Sequence, residues 1–286
     1  MNTGKNEYRS INVRGNLVDL EQPQVMGILN VTPDSFFAGS RCNGEMQRRQ
    51  RINEICTEGA AMIDIGAYSS RPGAKDISVD EELKRLIPAI EMTREEWPEA
   101  IISVDTFRSE VARRAIEAGA DIINDISGGE LDVRMFETVA DLHVPYILMH
   151  MNGTPQDMSA SYDNDDVMMA VFRFLGERVE RLHELGVADV IIDPGFGFGF
   201  GKTLVQNYTM MQRLSEFALL DCPVLVGVSR KSMVYRLLDT TPDESLNGTT
   251  VLNTMALMNG ADILRVHDVK AAKEAIKIFN QCLISA

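Results

Sequence analysis

Short apolar runs recur along the chain, and helically periodic stretches follow most of them. The runs are VMGIL (25–29), AMIDI (61–65), AIISV (100–104), DIIN (121–124), YILMH (146–150), VIID (190–193), VLVGV (224–228) and DILRV (262–266). Each is rich in Ile, Val, Leu or Met and only four or five residues long, which reads as a strand buried on both faces, as in a parallel sheet. The stretches 80–95, 109–119, 165–185, 204–219 and 269–283 have amphipathic helical spacing. Ser109 before EVARRAIEAG predicts an N-cap, Gly119 predicts the glycine just past the helix end, and the Asp-rich patch at 163–166 predicts a solvated helix start. Eight strand–helix units in ~250 residues predict an α/β fold of the (β/α)8 TIM-barrel kind, with an open doubly wound sheet as the alternative. Residues 8–21 predict a short N-terminal β-hairpin around Arg14-Gly15 that covers the N-terminal mouth of the barrel. No repeat or linker interrupts the chain. The expectation is one domain over 1–286, with the hairpin at about 8–21 and the barrel at about 24–284.

Composition narrows the function classes. The chain has 286 residues, 45% of them hydrophobic, which suffices for one large core and is too short for two large domains. A net charge of −14 argues against nucleic acid or an anionic membrane as partner, because both need a basic face. A local cluster of Arg, Lys and His can still hold a small anion. The cysteines, Cys42, Cys56, Cys222 and Cys282, form no C-x-x-C pair, which speaks against zinc or a disulfide framework and fits a reduced compartment. The polar start MNTGKNEYRS is not a signal peptide, and no segment offers ~20 continuous apolar residues, so a cytoplasmic location is expected.

The residues just after each run carry the candidate chemistry. They are Asn30 and Asp34; Ser69, Ser70 and Arg71; Asp105; Asn124 and Asp125; His150; Asp193; Ser229 to Ser232; and Arg265, His267 and Asp268. A single polar residue at a strand exit is usually a cap or turn residue. A full set converges, in a barrel, on the C-terminal mouth where active sites of that fold lie. Asp105, Asn124, Asp193 and Lys231 offer the acceptors and donors suited to the edge of a flat, nitrogen-rich heterocycle. Arg71, Arg265 and His267 suit an anion, with Asn30 as a neutral ligand for it or for a hard metal. Ser232 follows Lys231 at a helix start whose backbone N–H groups suit a carboxylate. FGKT (200–203) fails as a phosphate-binding P-loop because position 196 is Phe, and G-x-G-x-x-G fails because the glycines alternate.

The strings GILNVTPDSF (27–36), SSRPGA (69–74), SVDT (103–106), NDISGG (124–129), MHMNGTPQ (149–156), DPGFGFG (193–199), VSRKS (228–232) and RVHDV (265–269) resemble dihydropteroate synthases, over about residues 24 to 284. The resemblance implies a transferase of folate biosynthesis that joins a pterin pyrophosphate to p-aminobenzoate. It implies that Asp105, Asn124, Asp193 and Lys231 hold the pterin edge, with Ile126 and Met149 lining its slot. Arg265 would stack over the pterin and bind the leaving pyrophosphate with Asn30, Arg71 and His267, and Asn30 would ligate Mg2+. Thr32, Asp34, Phe36, Ser70, Arg71 and Pro72 would close over p-aminobenzoate, with Phe198 or Phe200 against its ring and Ser232 receiving its carboxylate. Asn30, Asp105, Lys231, Arg265 and His267 would form the catalytic set. A homodimer is implied as well.

Three departures from that pattern stand out. The glycine-rich stretch reads DPGFGFGFGK (193–202), with a Phe-Gly duplicated relative to that pattern so that the Lys lies two residues further from the Asp. The duplication could admit p-aminobenzoate yet obstruct bulkier sulfonamides. Ala38 replaces an Asp, and GAYSSR (66–71) carries Tyr68 in place of Glu and Ser70 in place of Thr. Two readings compete with the synthase: a pterin-dependent methyltransferase, and a paralogue that binds pterin without turnover. VSRKS and NVTPDSF favour the synthase, because a methyltransferase needs neither a pyrophosphate clamp nor an arylamine pocket.

Overall fold

The computed structural model describes residues 9–32, 44–69, 76–153 and 166–285. Eight parallel strands form the barrel: β3 (Gln24–Asn30), β4 (Met62–Gly66), β5 (Ile101–Asp105), β6 (Ile122–Asp125), β7 (Tyr146–Met149), β8 (Val190–Asp193), β9 (Leu225–Val226) and β10 (Ile263–Val266). Their order is 8-7-6-5-4-3-10-9, and a parallel bridge between Ile192 and Val224 brings the two ends together. Every apolar run of the sequence is one of these strands. Their outward side chains, such as Val25, Ile63, Ile102 and Leu148, pack under the helices with almost no exposure.

The helices α1 (Glu45–Thr57), α2 (Val79–Glu96), α3 (Ser109–Glu117), α4 (Met135–Leu142), α5 (Val167–Glu184), α6 (Leu204–Gln212), α7 (Ser232–Tyr235), α8 (Leu246–Met258) and α9 (Val269–Ile284) return the chain between strands. A 3-10 stretch, Leu214–Leu220, extends α6. Close approach is built into β3: a Cβ on Gly27 would lie 2.5 Å from Ile55 of α1. The helix start at 109 differs from expectation. Ser109 lies inside the first turn, and its hydroxyl and backbone N–H both donate to Asp132 Oδ2, at 2.6 and 2.8 Å. A carboxylate from the next loop therefore does the capping, where a hydroxyl was expected. Gly119 does follow the helix end with φ +108, and Asp166 caps α5 by accepting from Met169 N.

The hairpin is β1 (Ser10–Val13) and β2 (Asn16–Asp19), paired antiparallel around Arg14 and Gly15. Both turn residues have positive φ, 52 and 79°, the geometry that matches strand twist in a two-residue loop. Ile11, Val13 and Leu20 are buried against the N-terminal ends of the barrel strands, including Met26, Met62, Ile122, Ile147, Ile191, Leu225 and Ile263. A buried ion pair, Arg9 Nη1 to Asp262 Oδ2 at 2.6 Å, fastens this plug, and the same carboxylate oxygen accepts from Val224 N at 2.8 Å. The bottom of the barrel is thus sealed, and the open end is the opposite one.

Candidate active site

At the C-terminal mouth one pocket gathers residues from all eight strand ends, among them Asn30, Tyr68, Asp105, Asn124, Met149, Asp193, Lys231 and Arg265. Of the residues singled out in the sequence, Asn30, Thr32, Ser69, Asp105, Asn124, Ile126, Met149, Asp193, Phe200, Lys231, Ser232, Arg265 and His267 line it. Asp34, Phe36, Ala38, Ser70, Arg71 and Pro72 lie outside the described residues. Phe198 is not in the pocket wall. It packs on the barrel core with the Arg236 guanidinium 5.1 Å from its ring, whereas Phe200 packs toward Ile126, Met149 and Met151. The two phenylalanines of the duplicated stretch have therefore separated, with Phe200 on the pocket side, 4.7 Å from Lys231 Nζ.

The pocket floor is an ionic cluster. Arg265 donates from Nε to Asp64 Oδ2 at 2.6 Å and from Nη2 to Asp105 Oδ2 at 2.7 Å. Asn124 Nδ2 donates to the same Asp64 oxygen at 3.1 Å. Burial would weaken the Arg265 cation, but Asp64 and Asp105 more than offset it and hold its pKa above the ordinary value. Burial, helped by the nearby Asp64, Glu82 and Asp125, pushes Asp105 up to about 7 against the pull of Arg265. Lys231 falls to about 8 through burial, with Asp193 and Asp105 opposing. These are shifts of the kind that crowded, dry functional sites produce. Asp64 was not singled out in the sequence. Its signal was there, a carboxylate inside the run AMIDI, and Asp64 Oδ1 has no hydrogen-bond partner among the described residues.

Local backbone aims these groups. Arg230 sits in the left-handed region at φ +53, costly for a residue with a Cβ. It is held there by Asp268, at 2.8 and 3.0 Å, by the carbonyls of Pro242 and Asp243, each at 2.7 Å, and by Thr249 Oγ1 accepting from its N–H. The turn delivers Lys231 to the pocket, where Nζ donates to Phe196 O at 2.7 Å, and Ser232 begins α7. Ser229 Oγ accepts from the His267 backbone N–H and lies 3.1 Å from its Nδ1. Burial and the neighbouring Arg265, Arg51 and Arg230 drive His267 down to about 3. It is a neutral imidazole at pH 7, and would meet an anion as a hydrogen-bond donor, not as a cation.

Two other groups take different places from those the strand-end pattern suggested. Asp125 faces away from the pocket, accepting from Ser127, Gly129 N and the Tyr146 hydroxyl. His150 lies behind it, against Lys202. Tyr68, the departure at the β4 exit, lines the pocket and has a physical account. Its hydroxyl donates to Asp76 at 3.1 Å, its ring stands edge-on to Phe107 at 4.9 Å, and the Arg108 guanidinium lies 5.2 Å from its centroid.

A closed barrel with buried carboxylates, an amide and a lysine at its mouth defines a binder of small polar heterocycles. Residues 26–267 match the family model of the pterin binding enzymes. The dihydropteroate synthase of Escherichia coli K12 is 43% identical over 272 residues, covering 94% of this chain and 95% of that protein. That of Synechocystis is 42% identical over 257 residues, 89% of this chain and 88% of that protein. The Yersinia pestis dihydropteroate synthase in a sulfonamide drug complex superposes with a TM-score of 0.91 at 40% identity, covering 97% of this chain and 100% of that one. The Xanthomonas albilineans enzyme with 4-aminobenzoic acid gives 0.88 at 38%, covering 96% and 98%. The chain belongs to the dihydropteroate synthase family.

Proposed function

We propose that this protein condenses 6-hydroxymethyl-7,8-dihydropterin pyrophosphate with p-aminobenzoate, giving 7,8-dihydropteroate and pyrophosphate. The observation that carries the reading is the convergence of Asp105, Asn124, Asp193 and Lys231, from four strand ends, on one pocket. Their carboxylate, amide and ammonium groups match the alternating donors and acceptors of a pterin edge. Ile126 and Met149, which line the pocket, would pack on its flat faces. Arg265, with His267 and Asn30, would clamp the pyrophosphate, and Arg71 would join them. In the reaction the arylamine nitrogen bonds to the pterin methylene carbon, the carbon–oxygen bond to pyrophosphate breaks with its electron pair, and the amine loses a proton. The side chains act by orienting both partners, stabilising the departing charge and excluding water. No protein nucleophile is required.

Mg2+ is part of this proposal, with Asn30 as its protein ligand. Among the described residues no cluster of three His, Cys, Asp or Glu groups forms a metal cage. A single neutral oxygen suits a cation that keeps its waters and takes its other ligands from substrate phosphates. When bound it would offset charge on the leaving group. A cytoplasmic enzyme with small-molecule partners is part of the proposal, and the net charge of −14 supports leaving nucleic acid and anionic membrane out of it. No described helix is long and apolar enough to cross a membrane. A homodimer is proposed through α8, where Val251, Met255 and Met258 follow helical spacing and are exposed.

The duplicated Phe-Gly is proposed to lower sulfonamide sensitivity. Phe200 enters the pocket wall beside Lys231 and Ser232, where the arylamine ring and its carboxylate would lie. Removing Phe200 and Gly201 should raise sulfonamide inhibition at least several-fold with p-aminobenzoate still turned over. Unchanged inhibition would reject this part of the reading.

The decisive assay is dihydropteroate formation by the purified protein with both substrates and Mg2+, alongside reactions lacking each one. Product that needs both substrates and releases pyrophosphate supports the proposal. Pterin binding without product would favour the non-catalytic paralogue or the methyltransferase.

A further inference from the structure

Behind the pocket, and outside its wall, lies a second buried lysine, Lys202, whose pKa burial pushes down to about 7 while Asp193 opposes the fall and Lys231 adds to it. Lys202 is 2% exposed. Its ammonium contacts three acceptors: Gly195 O at 2.7 Å, His150 Nδ1 at 2.9 Å and His150 O at 3.4 Å. Burial, with Lys202 itself adding to the effect, drives His150 down to about 2, so this imidazole is neutral and Nδ1 accepts. The strand exits meet tightly at this point. His150 N donates to Asp193 O, and a Cβ on Gly195 would fall 1.9 Å from His150 O. Gly195 N in turn donates to Asp193 Oδ1 at 2.8 Å.

Two ammonium groups therefore grip consecutive carbonyls: Lys202 holds Gly195 O and Lys231, from the pocket, holds Phe196 O. Asn207 of α6 closes the far side, accepting from Gly197 N at 2.6 Å and donating to Lys202 O and Thr203 O. The strand-end carboxylate Asp193 sits inside this frame, and a buried carboxylate keeps its charge only where cations and donors surround it. Burial raises the Asp193 pKa, while Lys231, the Gly195 N–H, Arg265 and Lys202 all oppose the rise.

We propose that Lys202, braced by His150, is a positioning residue that fixes the rotamer and the negative charge of Asp193 from outside the pocket, and so sets pterin affinity. The proposal rests on the functional reading above. Lys202→Met keeps the chain length and removes the cation, and Lys202→Gln also keeps a donor for the carbonyls should the Met variant not fold. The probe is dihydropterin pyrophosphate, titrated by calorimetry between about pH 5 and pH 9. Either variant should bind at least tenfold more weakly at pH 7, with the acid limb of its affinity displaced upward by about half a pH unit or more. His150→Phe, which leaves the cation in place, should move that limb less. The charged groups facing the frame are Lys231, Arg265 and Lys202 toward Asp193, and Arg178 of α5 toward His150; all but Lys202 are retained in each Lys202 variant. A limb that stays where the wild type has it, even with a lowered melting temperature, would overturn the proposal and leave Lys202 a purely structural residue. Absence of pterin binding by the wild type would instead remove the functional reading itself.

Discussion

Asp64, Arg265 and Asp105 form a short chain of groups with bonds of 2.6 and 2.7 Å, in which Asp64 Oδ1 is left without a hydrogen-bond partner among the described residues. A pterin held through Asp105 would share that carboxylate with Arg265, which is also the residue proposed to meet the pyrophosphate. The pterin-edge residues are the direct test. Lys231→Ala or Asp193→Asn should weaken pterin binding roughly 10- to 100-fold, the usual cost of losing a charged hydrogen-bond partner in a dry site. Near-normal affinity by calorimetry in both would sink the edge assignment. His267 gives a pH prediction. Its unfolded imidazole titrates at 6.5 and the folded one at about 3, chiefly through burial. As pH falls the unfolded chain therefore binds the proton first. The stability tied to neutral His267 is fully present above about pH 6.5 and drains away toward about pH 3, with a limiting slope on the order of 1.4 kcal/mol per pH unit. His267→Gln should lose less stability than the wild type between about pH 7 and pH 5 in urea unfolding; parallel losses would contradict the shift.

The elements differ in how legible they were. All eight barrel strands were visible because each is a short continuous apolar run, and both faces of each are buried. Helices α2, α3, α5 and α9 follow the expected stretches within a few residues, the stretch 204–219 divides into α6 and the 3-10 turn Leu214–Leu220, and the sequence pattern does not single out α1, α4 or α8. α8 shows why. It carries Gly248, Thr249, Thr250 and Thr254, poor helix formers, and is held by packing so close that a Cβ at Gly248 would lie 2.6 Å from Val234. The hairpin was readable from Arg14-Gly15, and its duty as a plug predicts a separation of stability from function. Ile11→Ala should cost about 2–5 kcal/mol of unfolding free energy, from transfer and cavity terms. Pterin affinity should stay within about twofold, because the plug sits at the opposite end of the barrel from the pocket. A comparable loss of affinity would mean the two ends are coupled.

For the whole molecule, a barrel closed at one end by β1 and β2 and ringed by helices leaves two kinds of surface: the mouth and the outer helical faces. Val251, Met255 and Met258 form an exposed apolar line on α8. Val251→Glu with Met255→Glu should convert a homodimer into a monomer by light scattering and leave the fold intact by circular dichroism. A wild type that is monomeric at micromolar concentration would refute the dimer.

By itself the sequence determined the barrel, its hairpin and the list of polar groups at the strand exits, because periodicity and the position of a residue after a run are local properties. It could not choose among those groups. Asn30, Asp105 and Lys231 face the pocket while Asp125 and His150 face other elements, since direction at a strand exit depends on neighbouring loops such as the one Tyr146 and Ser127 brace. The parting of Phe198 from Phe200 is likewise tertiary. Lys231 and Lys202 hold the loop from opposite sides, and the turn between them carries one ring to the pocket and the other to the core. Asp64 sat in a string that read as pure core, and only closure of the barrel brought Arg265 of β10 across to it. Contacts between residues 64 and 265 follow from strand order and register, which no local pattern encodes.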